Sequence, residues 1–126
     1  MTGSETERIV EIGSQDHTCV VSVDEPGHGG AHHEYRVRSR MLKDATKASL
    51  AIISFQNGSI REAGVNGCHH EDLIAIVLDR LRAFQKGDYA CRENAIAITK
   101  LEEALHRLND RTADRDTRGV KGTSVK

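Results

Sequence analysis

Four arginines near the carboxyl end of the chain occupy one column of a helical pattern. They follow one another at spacings of four, four and three residues, as Arg107, Arg111, Arg115 and Arg118. Like charges at this spacing repel by roughly 0.2–0.5 kcal/mol per pair, and neighbouring acidic residues offset only part of that. A planar guanidinium binds two phosphate oxygens at once, so a bound phosphate would offset more. The column is therefore either a phosphate-binding surface or a solvated, charged helix end.

An amide and an aromatic ring precede this column on the inward side of the helical pattern. Asn94 stands where the stripe of the last helix requires an apolar residue, and Phe84 lies near the end of the helix before it. A buried amide needs hydrogen-bond partners, which a neighbouring backbone or the edge of a ligand base can supply. Phe84 is either a core residue or a ring on which a purine stacks. Both residues are candidates for a nucleotide site.

The spacing of these candidates constrains how they can meet. On one straight helix, Asn94 and Arg111 lie about 25 Å apart, too far for one small nucleotide to contact both. A shared site therefore requires two chains, with long helices paired antiparallel across a two-fold axis. Composition favours association as well, because only 37% of the residues are hydrophobic and 3% are aromatic, which leaves little core to bury.

Other chemistries have weaker signals. The segment "CHHED" and Cys91 lack the paired spacing of a zinc site, and adjacent His69 and His70 point about 100° apart on a helix. His32 and His33 have no nucleophile at a recognisable elbow, and no Walker or dinucleotide-binding glycine pattern occurs. We therefore predict no metal, no cofactor and no catalytic residue.

Charge and hydropathy narrow the class of protein further. A formal net charge of -1 argues against a general nucleic-acid binder. Three cysteines without a disulfide spacing suit a reducing compartment. The apolar runs are too short to span a membrane, and the first residues do not resemble a signal peptide. A soluble, intracellular protein is expected.

The positioning elements follow from periodicity. Four strand-like runs, "ERIVEI", "HTCVVSV", "HEYRVRS" and "SLAIISF", predict a small antiparallel sheet within residues 7–56. Apolar spacing then predicts helices over Cys68–Gln85 and Tyr89–Thr117, with Gly87 as the C-cap between them and a tail over 118–126. The short link makes these helices an antiparallel hairpin. The expected fold is α+β, a single domain over 1–126.

A second basic surface is predicted on the third strand. Alternation in "HEYRVRSR" puts Arg36, Arg38 and Arg40 on one strand face, next to the glycine-rich turn in "DEPGHGGAHH".

Several ordered motifs together resemble one known family. The segments "ISFQNGSIREAGVNG", "EDLIAIVLDRL", "FQKGDYACRENAIAITKLEEAL" and "RTADRDTRGVKGT" are similar to phage Thoeris anti-defence proteins of the sponge type, over about Asp24 to Thr123. Tyr89 keeps an aromatic ring where the family has phenylalanine. His69 replaces a helix-capping threonine and is a weaker cap.

The resemblance implies a non-catalytic protein of the bacterial host cytoplasm that sequesters gcADPR, the cyclic ADP-ribose isomer made by TIR proteins. Relatives form dimers that assemble into hexamers, and some also bind cyclic trinucleotides of CBASS defence at separate sites. The matching motifs carry over Phe84, Asn94, Arg111 and Arg115 as gcADPR contacts. Arg36, Arg38 and Arg40 are the candidates for a second nucleotide site. The alternatives are a hydrolase of the same messenger and a protein-interaction module.

Overall fold

A computed structural model of the chain describes residues 6–13, 15–41 and 49–117. For residues 116 and 117 it describes the backbone alone. The described residues form two compact units that divide between Cys68 and His69. A four-stranded antiparallel sheet comes first and a helical hairpin follows, so the predicted α+β class is confirmed. The single domain over 1–126 stays a prediction, because it concerns cooperative folding. The predicted tail of 118–126, with Arg118, lies outside the described residues.

The first unit is built on a sheet whose strands pair in chain order. The strands are β1 (Arg8–Ile9), β2 (Thr18–Ser22), β3 (Glu34–Ser39) and β4 (Ser49–Ser54), and neighbours are antiparallel throughout. Each lies within one of the four predicted runs. The ladder between β3 and β4 is irregular, because Val37 pairs with Ala51 whereas Arg38 pairs with Ser49. Leu50 is therefore an extra residue on β4, as in a β-bulge.

A tight connection leads from β4 to the end of this unit. It contains a short helix, α1 (Ile60–Ala63), with Ser59 as its N-cap. Side-chain amides close the connection: Gln56 Nε2 donates to Gly64 O at 2.7 Å, and Asn66 Nδ2 donates to Asn57 O at 2.7 Å. The backbones then approach so closely that a Cβ on Gly67 would lie 2.3 Å from the carbonyl carbon of Phe55. Only glycine fits at residue 67.

The second unit begins with helix α2 (His70–Gln85), in which Leu78 is buried. Its N-cap is His69, whose backbone N–H donates to Asp72 Oδ2 at 2.9 Å. The capping residues explain why the helix starts two residues later than predicted. The C-cap is Lys86 and not Gly87, because the chain leaves α2 without a positive φ at Gly87. The predicted glycine cap is therefore wrong.

Helix α3 (Arg92–Thr117) completes the hairpin. It starts three residues after the predicted Tyr89, because Tyr89 lies in a turn that the Ala90 N–H closes by donating to Gly87 O. Arg82 of α2 pairs with Glu102 of α3 at 2.7 Å across the hairpin. None of the described helices is both long and apolar enough to cross a membrane.

Candidate functional site

Two aromatic rings meet at the turn of the hairpin. The centroids of Phe84 and Tyr89 lie 5.8 Å apart at 61°, an edge-on arrangement. Phe84 is half-buried at the end of α2, whereas Tyr89 is 76% exposed in the turn. Edge-on pairs of this kind add about 0.5–1.5 kcal/mol beyond the area they bury. The turn thus presents an aromatic surface to solvent.

Asn94 holds the turn beneath these rings. Its Nδ2 donates to the carbonyl oxygen of Tyr89 at 3.2 Å, which satisfies the amide through a neighbouring backbone. Its backbone N–H contacts Cys91 Sγ at 3.4 Å, so the thiol occupies the place of an N-cap side chain. The amide oxygen of Asn94 has no hydrogen-bond partner among the residues that the structure describes. That oxygen remains open to a donor from outside the chain.

Gln85 fixes the other side of the turn. Its Oε1 accepts a hydrogen bond from the backbone N–H of Cys91 at 2.9 Å, across the residues that link α2 to α3. The end of α2 and the start of α3 are therefore tied by a side chain from each helix. The rings and the amide oxygen are held in one place.

Arg80 lies over Phe84, one helical turn earlier on α2. Its guanidinium carbon is 5.1 Å from the ring centroid, within the range of a cation–π contact. Sequence reasoning missed this residue. The i, i+4 spacing of Arg80 and Phe84 is the signal that could have identified it.

The predicted phosphate-binding arginines lie at the far end of α3. Arg111 is exposed and Arg115 is half-buried, and both belong to the same continuous helix as Asn94. Within one chain the structure brings Phe84, Tyr89 and Asn94 together and does not bring the two arginines to them. The separation of about 25 Å expected for an unbroken helix therefore holds.

An open surface of α3 lies between these two ends. Two shallow grooves of 420 Å³ and 340 Å³ follow the helix and share Thr99. The first is lined by Thr99, Glu102, Glu103, His106 and Arg107, and the second by Arg92, Ala95, Ile96, Thr99 and Lys100. All of these residues belong to α3, so each groove is open on its other side. Ile96 is 41% exposed there.

The predicted basic face of β3 is partly neutralised within the first unit. Arg38 donates to both carboxylate oxygens of Glu7, at 2.9 and 3.1 Å. The hydrogen bond with Arg38 lowers the pKa of Glu7, and the same bond raises the pKa of Arg38. Arg36 Nη1 donates to the carbonyl oxygen of Tyr35.

Arg40 does not belong to the strand. β3 ends at Ser39, and the backbone N–H of Arg40 donates to His17 O at 2.8 Å while its Nε donates to Thr18 O at 2.7 Å. The prediction that alternation places all three arginines along one strand is wrong for Arg40, because the pairing with β2 stops one residue earlier.

The glycine turn contains a compact polar cluster. The backbone N–H of His33 donates to Asp24 Oδ2 at 2.9 Å, and His32 Nδ1 lies 2.7 Å from Asp24 O. Burial opposes ionisation of Asp24, but backbone hydrogen bonds from His33 and Glu34 outweigh it and lower the pKa of Asp24. His33 is 7% exposed, and its Nδ1 is buried without a hydrogen-bond partner in this part of the chain.

Metal-binding geometry is a separate question for the histidines and cysteines. Within residues 6–13, 15–41 and 49–117, no group of three or more His, Cys, Asp or Glu side chains is arranged to hold a metal ion. Cys19, Cys68 and Cys91 are free thiols.

Known proteins match this chain in its hairpin and along most of its length. The family model described as the hairpin domain of Acb2/Tad1 matches residues 48–113. A curated protein of Bacillus phage SBSphiJ7, named Thoeris anti-defense 1, is 44% identical over 125 residues. That alignment covers 93% of this chain and 84% of the relative.

Proposed function

This chain belongs to the Acb2/Tad1 hairpin family, and from that premise we propose that it is a phage anti-defence sponge. It binds and sequesters gcADPR, the signalling nucleotide of TIR proteins, in the cytoplasm of the bacterial host. Removal of the messenger blocks Thoeris immunity, the activity for which its phage relative Thoeris anti-defense 1 is named. The function requires binding alone and no chemical change in the ligand.

One observation carries this proposal. The Phe84 and Tyr89 rings and the open amide oxygen of Asn94 lie together at the hairpin turn. Aromatic faces accept purines by stacking, at about 1–3 kcal/mol per base. An amide oxygen accepts a hydrogen bond from a ribose hydroxyl or an exocyclic amine. This combination suits the adenosine part of a nucleotide, and we assign the stacking to Phe84 and the polar contact to Asn94.

The pyrophosphate needs positive charge that this turn does not supply in full. Arg111 and Arg115 lie on the last turns of α3, so one chain cannot place them beside its own Asn94. If a second copy pairs antiparallel along α3, its Arg111 and Arg115 come to lie beside the aromatic rings of the first copy. The open face of α3 around Thr99 is the surface on which the two copies pair. Such dimers assemble further into hexamers.

Capture by a shared pocket fits the needs of a sponge. A sponge competes with the defence effector for a messenger, so it must bind tightly and release slowly. A ligand enclosed between two chains leaves only when the contacts of both are broken. We expect nanomolar affinity. Each pocket, built from Phe84 and Asn94 of one chain and Arg111 and Arg115 of the other, should bind one ligand.

Cyclic trinucleotides of CBASS defence are assigned to a separate site on the first unit. Glu7 already occupies the fork of Arg38, and Glu34 lies 3.9 Å from Arg36 Nη1. Arg40 and the remaining donors of Arg36 supply the charge that an added phosphate can reach. This site is independent of the hairpin pocket.

Calorimetry against gcADPR isomers tests the proposal directly. The expected result is tight binding, with intact nucleotide recovered when the complex is denatured. Chemically altered nucleotide would identify a hydrolase of the same messenger. Absence of binding to any isomer would favour a protein-interaction module. Native mass spectrometry of the complex gives the number of chains and ligands.

A further inference from the structure

Arg80 is placed on the aromatic surface but is not held there strongly. Its guanidinium lies 5.1 Å from the centroid of Phe84. A cation–π contact at an exposed position contributes only about 0.5–1 kcal/mol. A charge-assisted hydrogen bond contributes about 1.5–3 kcal/mol. An anion that arrives beside Phe84 therefore competes successfully with the ring for the guanidinium.

The neighbouring Arg82 shows how different the position of Arg80 is. Arg82 lies two residues later on the same helix and is paired with Glu102 at 2.7 Å. Arg80 has no acidic partner and no hydrogen-bond acceptor among the described residues. An anion can therefore bind N–H donors of Arg80 without first breaking an ion pair.

We propose that Arg80 is an anion-binding residue of the hairpin pocket, which binds a phosphate oxygen of the nucleotide from the chain that supplies Phe84 and Asn94. This inference rests on the proposed function and assigns the pocket a third source of positive charge, beside Arg111 and Arg115 of the second copy. The guanidinium that now covers the ring rotates toward the pyrophosphate. Its departure uncovers the face of Phe84 on which the base stacks.

The exchange makes base stacking and phosphate binding depend on each other. The phosphate of a nucleotide gives Arg80 a new hydrogen bond in place of its contact with the ring. A neutral nucleoside offers no such bond. Removal of the arginine charge should therefore lower the affinity for the nucleotide. The affinity for the nucleoside should stay unchanged or rise slightly. An arginine that only covers the ring would affect both ligands in the same direction.

The test is calorimetry with gcADPR and with adenosine on the wild-type chain, Arg80→Gln, Arg80→Lys and Arg82→Gln. Arg80→Gln should lower the affinity for gcADPR roughly tenfold to hundredfold. The affinity of this variant should also fall less steeply with added salt than the affinity of the wild type. Arg80→Lys keeps the charge without the fork and should recover part of the loss. Arg82→Gln is the matched control and should stay within about twofold, because an exposed ion pair contributes little.

Circular dichroism first establishes that each variant is folded. If the wild-type chain binds gcADPR and the affinity of Arg80→Gln is within about twofold of it, the proposed role of Arg80 is overturned. The proposed function would still stand. Equal losses in Arg80→Lys and Arg80→Gln would also overturn it, because charge would then be irrelevant. Failure of the wild-type chain to bind any gcADPR isomer would remove the proposed function, and this role with it.

Discussion

The side-chain amide of Asn94 donates a hydrogen bond of 3.2 Å to the carbonyl oxygen of Tyr89. This bond links the first turn of α3 to the residue whose ring meets Phe84 edge-on. The nitrogen of the amide therefore positions the aromatic surface, while its oxygen has no hydrogen-bond partner among the described residues. A polar residue on an otherwise apolar stripe thus has both a structural partner and an open acceptor.

Replacement of Asn94 by leucine should change ligand affinity more than it changes stability. Asn94→Leu removes the bond to Tyr89 but improves helix propensity and apolar burial, so the net change in stability should stay within about 1 kcal/mol. Affinity for gcADPR should fall at least about tenfold, because the acceptor oxygen and the bond that positions the Tyr89 turn are lost together. Thermal unfolding and calorimetry give the two quantities.

Glu11→Leu provides the control for that experiment. Glu11 is exposed in the first unit, outside the helical hairpin, and the change should leave nucleotide affinity as it is. An Asn94→Leu variant with wild-type affinity would show that the amide has no part in binding.

Among the glycines that the structure describes in the first unit, Gly67 should be the least replaceable. An added methyl group would lie 2.3 Å from the Phe55 carbonyl carbon and 2.6 Å from Gln56 N, both in the backbone. Backbone atoms cannot rotate away as a side chain does, so Gly67→Ala should cost roughly 1–3 kcal/mol of unfolding free energy. Gly87→Ala is the control, because nothing lies within 4 Å of its added carbon. Equal urea midpoints for the two variants would contradict this reading of the connection.

The order and type of the elements were predictable because each follows from a local period. Alternation in "HEYRVRS" and its neighbours marks strands, and the step of three and four residues through Leu78 and Leu101 marks helices. Helix ends were less predictable, since His69 and Lys86 act as caps through contacts that no period contains.

The sequence could not predict which charged residues form ion pairs with each other. Glu7 and Arg38 are 31 residues apart and meet only because β1 and β3 flank β2. Arg80 is the opposite case, since its spacing from Phe84 is local. An arginine on a helix is usually solvated, however, so the spacing alone did not distinguish it. For Arg111 and Arg115, spacing predicted correctly that one chain keeps them apart from Asn94; the pairing of two chains remains a proposal.

The pair of Glu7 and Arg38 should make the stability of the sheet depend on pH. The hydrogen bond with Arg38 lowers the pKa of Glu7 below its ordinary value of 4.5. A carboxyl group whose folded pKa is depressed adds stability above its unfolded pKa and loses it as pH falls through the folded value. Glu7→Gln should therefore be less stable than wild type by about 1 kcal/mol at pH 7, and the two should converge below pH 4.5.

Urea unfolding across this pH range measures the difference. Glu11→Gln serves as the control, because Glu11 is exposed and the described residues give it no ion pair. A constant difference between Glu7→Gln and wild type from pH 7 to pH 3 would mean that the ionised form of Glu7 is not what stabilises the sheet.

Complementation between two defective variants tests whether each pocket is shared by two chains. Phe84→Ala removes the stacking ring from each pocket, and Arg111→Ala removes a phosphate-binding arginine. Each variant alone should therefore bind gcADPR poorly. In a refolded equimolar mixture, half of the dimers contain one chain of each kind. One of their two pockets then combines the intact Phe84 of one chain with the intact Arg111 of the other. About one quarter of all pockets should therefore recover wild-type affinity, which calorimetry reads as a tight phase of matching stoichiometry. A pocket built within one chain would give no tight phase in the mixture, because every chain carries one of the two defects.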